Sequence, residues 1–138
     1  MRHLLAEELL LALPPSHPLT QKSHISARER LIVMKEGHCL GDQVLDFCER
    51  RDWQPQISFR SAQLETMQAL VSAGRGLSLI PAMAARKDGT LLSEYRPFQL
   101  PKPQRDIVVV WPKQRGLSRC ANEFLRMIEA RLLKSRRL

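Results

Sequence analysis

The stretch RLIVMKEGHCLGDQVLDFCERRDWQPQISFR, residues 30 to 60, decides the fold. It opens on a β-branched apolar run, Arg30 to Met34, and closes on an alternating one, Gln56 to Arg60, both with the composition of strands. Between them Leu40, Val44, Phe47 and Cys48 recur at helical spacing, which predicts a helix over Leu40 to Arg51 with one apolar stripe. Strand, helix and strand in that order predict one crossover unit of an α/β domain.

The same alternation continues outward. EELLLAL (7 to 13) is a short apolar run closed by Pro14 and Pro15, which predicts a buried strand. LSLI (77 to 80), between a glycine and Pro81, and DIVVVW (106 to 111) are further strands. Apolar runs without alternation suit strands covered on both faces, so a largely parallel sheet is expected. A second helix is predicted over Ala62 to Ala73, with Leu64, Met67, Leu70 and Val71 on one stripe, Ser61 as N-cap and Gly74 as the stop. Ser118 is placed to cap a last helix whose apolar face carries Ala121, Phe124, Leu125, Ile128 and Leu132.

At 138 residues the chain suits one domain, and 43% hydrophobic against 26% charged residues supports a packed core rather than a disordered chain. No apolar run approaches the roughly 20 residues that span a bilayer. Glu7 and Glu8 interrupt the amino-terminal apolar segment and no small-residue cleavage site follows, so a signal peptide is not expected and a cytoplasmic location is. Three cysteines are too few, and odd in number, for a disulfide scaffold. With no CxxC and no HxxxH among His3, His17, His24 and His38, neither a metal nor a cofactor is expected.

The formal charge of +8 is unevenly placed: residues 1 to 100 carry 12 basic and 11 acidic side chains, residues 101 to 138 carry 10 and 3. The excess ends in RLLKSRRL, which reads first as a solvated last helical turn whose cations oppose the helix dipole, and second as a contact for nucleic acid or an acidic partner. The aromatic residues are sparse and not interleaved with cations. Trp53 and Trp111 therefore read as packing residues rather than base-stacking platforms. A nucleophile elbow, a P-loop and a dinucleotide glycine pattern are all missing from the sequence, so an enzyme is not expected.

Chemistry concentrates in residues 37 to 48. Cys39 falls where the first helix begins, so unpaired backbone N–H groups and the positive dipole end should favour a thiolate there, with His38 as an added donor or cation. A partly exposed thiolate is the form that peroxide oxidises, and the resulting sulfenic acid can condense with a second thiol. Cys48 lies on the apolar stripe and should be buried. Nine residues of helix hold two Cα atoms roughly 13 Å apart, whereas a disulfide needs them within about 7 Å. Closing such a pair requires the helix to unwind, which would make it a two-state switch; the alternative is that both cysteines simply pack. Cys120, beside Ala121, reads as structural.

EGHCLGDQVLDFC resembles the regulatory domain of the LysR-type transcriptional regulators, in particular their peroxide-sensing members, whose redox segment reads GHC-L-x-DQ with a second cysteine at this interval. The resemblance continues through FRSAQLETMQALVSAGRGLSLIPAMA (59 to 84) and QRDIVVVW (104 to 111), covering nearly the whole chain. It implies a periplasmic-binding-protein-like (type 2) fold, with residues 1–105 as the second lobe and 106–138 as the closing strand and helix of the first. It further implies Cys39 as the peroxidatic thiol, Cys48 as the resolving thiol, and a peroxide pocket shaped by His38, Asp42, Gln43 and Arg105. Without the resemblance, Asp42 reads as a first-turn carboxylate, Gln43 as a solvated side chain and Arg105 as a surface cation.

The implied partners are hydrogen peroxide or a small-molecule effector, and a second copy or a LysR-type subunit, with Phe124, Ile128 and Leu132 left as apolar surface. The family's winged helix-turn-helix does not precede Met1, so direct DNA binding by this chain is not expected. The effector cleft between lobes is expected to be incomplete. Residues 17 to 37 look a few residues shorter than usual. Gly41 stands where peroxide-sensing members commonly carry arginine, which should slow Cys39 by removing a positive charge. Rival readings are a metabolite-binding effector domain without redox chemistry and a nonfunctional fragment.

Overall fold

The computed structural model describes residues 1–18, 25, 28–85, 90–98 and 101–135. In chain order the elements are β1 (Arg2–Leu13), β2 (Arg30–Met34), α1 (Cys39–Arg50), β3 (Gln56–Ser61), α2 (Leu64–Ser72), β4 (Ser78–Pro81), β5 (Glu94–Arg96), β6 (Gln104–Val109) and α3 (Arg119–Ser135), with a single 3-10 turn at Ala82–Ala84. The chain divides into two compact units, Glu8–Arg105 and Met1–Glu7 together with Asp106–Leu138.

In the larger unit the crossover forms as its sequence predicts: β2 pairs parallel with β3, with α1 between them in the chain. Leu31, Ile32, Val33 and Met34 are all buried, because α1 and α2 both contact β2. β4 extends this frame through a parallel bridge between Leu31 and Leu77, and Ser78 secures it by donating from its hydroxyl to the Ile32 carbonyl at 2.8 Å.

The sheet is not largely parallel. β1 pairs antiparallel with β4, Leu9 facing Pro81 and Ala12 facing Ser78, and antiparallel with β5. An unbroken apolar run reports cover on both faces, which Leu9 to Leu13 and β4 largely receive, but it carries no information on strand direction. β5 itself is three polar-flanked residues and gives no period to read.

Local signals fix the helix ends. α2 closes in a Schellman arrangement: Gly74, at φ +72°, donates to the Val71 carbonyl at 2.9 Å and Arg75 donates to that of Leu70 at 3.0 Å. Its start differs from the expected one. The helix begins at Leu64, and the Ser61 hydroxyl accepts from the Gln63 N–H at 3.1 Å ahead of it, so Ser61 shapes the approach rather than capping. Ser118 does cap α3, its hydroxyl accepting from the Ala121 N–H at 3.2 Å.

In the smaller unit β1 starts at Arg2, earlier than the apolar run implies, and ion pairs from Arg2 to Glu129 and from His3 to Asp106 tie its first residues down. On α3, Leu125 is buried and Ala121, Ile128 and Leu132 are half-buried. Phe124 is 63% exposed and does not share their covered face. β6 alternates exposed and half-buried residues and ends at Val109, so it is not covered on both faces. Cys120 is exposed in the first turn of α3, which removes the packing role expected for it.

Gly41 makes a close junction between α1 and β2. A Cβ there would lie 2.8 Å from the Met34 carbonyl oxygen and 3.3 Å from the Met34 Cβ. Helix propensity alone favours alanine by about 1 kcal/mol. Forcing a methyl against backbone costs about 1–3 kcal/mol. Gly41→Ala is therefore expected to lower stability by up to about 2 kcal/mol in chemical denaturation; a raised midpoint would show that α1 lifts off β2 freely.

Candidate functional site

The exposed turn Lys35–His38 carries the chain from β2 into α1. Lys35 donates its N–H to the Ser61 carbonyl at 2.8 Å, which ties the turn to the end of β3, and Gly37 bends it at φ +86°. His38 occupies the N-cap position in extended conformation, with no side-chain cap, and its carbonyl accepts the first helical bonds from Gly41 at 2.9 Å and Asp42 at 3.4 Å. The N–H groups of Cys39 and Leu40 thus precede the helical ladder, at the positive end of the dipole.

His38, Cys39, Asp42 and Gln43 are all exposed around this first turn. Sequence adjacency on one helical turn brings these four together. Arg105, from β6, is half-buried and already engaged in an interaction of its own.

Cys48 sits at the other end of the same helix, 2% exposed, in the core cluster that includes Leu40, Val44 and Trp53. Burial pushes its thiol up to about 11 from an ordinary 9.0. Its carbonyl accepts from Arg51 at 3.1 Å and Trp53 at 2.9 Å, closing the helix, and a cavity of about 440 Å³ lined by Leu45, Trp53, Pro55 and Ile57 opens beside it. Among the described residues the buried indole Nε1 of Trp53 has no hydrogen-bond partner. All three cysteines are free. With α1 unbroken from Cys39 to Arg50, the Cα atoms of Cys39 and Cys48 stand roughly 13 Å apart.

The LysR substrate binding domain family matches residues 1–133. This chain belongs to that family. It is 32% identical over 137 residues to the DNA-binding transcriptional dual regulator OxyR of Escherichia coli K12, a match covering 94% of this chain and 44% of that protein. The reduced OxyR regulatory domain of Pseudomonas aeruginosa superposes with a TM-score of 0.74 at 27% identity, covering 95% of this chain and 63% of that one. An oxidised form of OxyR matches at 0.72 and 30% identity, covering 94% of this chain and 64% of that one. The fold is accordingly that of the LysR effector-binding domains, mixed α/β and periplasmic-binding-protein-like. These relatives are transcription regulators, and the chain spans less than half the length of the E. coli protein. Among the described residues no helix is long and apolar enough to cross a membrane.

Sequence reasoning did not find the cavity beside Cys48, nor a second one against the outer face of α1 that Gln43 lines. The regular spacing of Gln43, Asp46, Phe47 and Arg50 marks that outer face, but nothing in the sequence joins it to residues 101–104 across half the chain.

The elevated Cys48 thiol has a pH signature. A group whose folded value exceeds its unfolded one contributes stability that is complete below the unfolded value and lost as pH rises through the folded one. Between pH 9 and about 11 the wild type is expected to lose stability more steeply than Cys48→Ala. Lysine and tyrosine titration is common to both proteins, so parallel curves from denaturant titrations at stepped pH would refute the buried-thiol assignment.

Proposed function

We propose that this domain senses hydrogen peroxide through a thiol–disulfide switch between Cys39 and Cys48, as the effector domain of a LysR-type regulator. The observation that carries the reading is the placement of an exposed thiol at the first residue of α1 and a covered one on the apolar stripe of the same helix. The similarity to proteins named hydrogen peroxide-inducible genes activator supports it.

In the proposed reaction the Cys39 thiolate attacks one peroxide oxygen. The O–O bond breaks, Cys39 becomes a sulfenic acid, and the departing hydroxide takes a proton to leave as water. The Cys48 thiolate then attacks the Cys39 sulfur, displacing hydroxide, which is protonated to a second water. Two thiols supply the two electrons that reduce one peroxide to two waters. His38, Asp42, Gln43 and Arg105 are assigned to the peroxide pocket: His38 and Gln43 as donors to the peroxide or sulfenic oxygen, Arg105 as support for anionic sulfur, and Asp42 as an organiser of the helix start.

Helix α1 must unwind between the attack and the second step. Unwinding removes Leu40 and Val44 from the core, at about 1.5–3 kcal/mol for each fully buried side chain. It also frees the Trp53 indole, whose unpartnered burial costs about 1–3 kcal/mol in the closed state. Under this reading Glu8–Arg105 is the body of the second lobe and residues 106–138 supply the closing strand and helix of the first. Peroxide or another small effector, a second copy, and LysR-type subunits are the proposed partners.

One equivalent of peroxide followed by alkylation and mass spectrometry tests the switch. Two thiols per chain should disappear, with a crosslink joining the peptides of Cys39 and Cys48. Cys48→Ser should halt at a Cys39 sulfenic acid that dimedone traps, and Cys120→Ser should behave as wild type. Peroxide-treated protein lacking that crosslink would overturn the switch.

A further inference from the structure

We propose that the cleft between the outer face of α1 and the segment Pro101–Gln104 binds a small organic monoanion with an apolar body. All of its walls belong to the unit Glu8–Arg105. Its volume is about 330 Å³, at the small end of the roughly 300–1,000 Å³ that ligand cavities occupy, which suits a single-ring carboxylate.

The cleft has an apolar floor and a cationic rim. Phe47 and Pro101 supply the apolar surface, backed by the buried Leu9 and Pro103. Phe47 is held by Phe98 in an edge-to-face contact with centroids 5.1 Å apart, and the Arg51 guanidinium lies over both rings, at 5.0 and 5.9 Å. Arg51 also donates to the Pro101 carbonyl at 2.6 Å, clasping α1 to the opposite wall. The ring that would stack on a ligand is therefore fixed before the ligand arrives, which lowers the ordering cost of binding.

Charge selects the ligand class. Arg51 is committed to the clasp, and Lys102 lies 3.2 Å from the Glu8 carboxylate. Arg50 is exposed and, among the described residues, has no hydrogen-bond or ion-pair partner. It is the cation left for an incoming anion. Asp46 on the same wall repels a second negative charge. A bare inorganic anion would leave the Phe47 and Pro101 surface unused, and a neutral aromatic molecule would leave Arg50 unmatched. A carboxylate with a ring or short apolar chain satisfies both.

Neither Cys39 nor Cys48 lines the cleft, although Gln43 does and α1 forms one wall, so binding is read on the reduced chain, where its outcome does not depend on whether the two cysteines pair. Benzoate titrated into the full ¹⁵N-labelled chain is the probe. Saturable shifts are expected in the amides of Gln43 to Arg51, Lys102 and Gln104. Losing one charge-assisted contact should weaken binding roughly tenfold, both for benzoate on Arg50→Gln and for uncharged benzamide on the wild type. Arg50 is exposed, so its variant should unfold at the wild-type temperature. Lys113→Gln, which removes a surface cation elsewhere, should bind benzoate as the wild type does. The site is refuted by any of three results: no saturable shift, benzamide or Arg50→Gln binding as tightly as benzoate on the wild type, or equal weakening by Lys113→Gln.

Discussion

Everything in the larger unit hangs on how closely α1 can lie against β2. Gly41 faces the Met34 carbonyl at a distance that admits no side chain, so the helix settles with Leu40, Val44 and Cys48 in the core and its first turn open to solvent. A helix held farther off would leave the stripe half wet and Cys48 accessible. The glycine thus lets α1 seat closely on β2.

That seating sets the character of the proposed switch. A helix pinned by core side chains at three positions and clasped at its end by Arg51 does not fray easily. At its C-terminal end a cavity borders Cys48, and among the described residues the buried Trp53 indole has no hydrogen-bond partner. Opening at either end exposes buried apolar surface, and at the C-terminal end it also lets the Trp53 donor reach water.

The legibility of the sequence follows the same physics. The crossover of β2, α1 and β3, the Gly74 stop and the Ser118 cap were readable because each is a local pattern of spacing or backbone preference. The direction of β1 was not, since Leu9 to Leu13 is equally apolar whichever way its neighbours run. Val108 and Phe124 resemble core residues in sequence and stand exposed, because composition does not reveal which faces receive cover. In the candidate site, Cys39 at the helix start and Cys48 on the stripe were legible. The two cavities were not: each is assembled by walls whose meeting depends on tertiary packing.

Burial also fixes the order of events in the proposed chemistry. At neutral pH a thiol pushed up to about 11 is almost wholly protonated, and a residue 2% exposed offers peroxide no approach. Cys48 therefore cannot be the first site of oxidation while α1 is folded. Cys120 is exposed, but it belongs to the other unit and has no second cysteine within its own helix. Only Cys39 combines exposure with a partner on the same element, and that partner becomes a competent nucleophile only once the helix that covers it has opened. The conformational step is thus built into the second chemical step, so reversal by reduction would let α1 refold and bury Cys48 again.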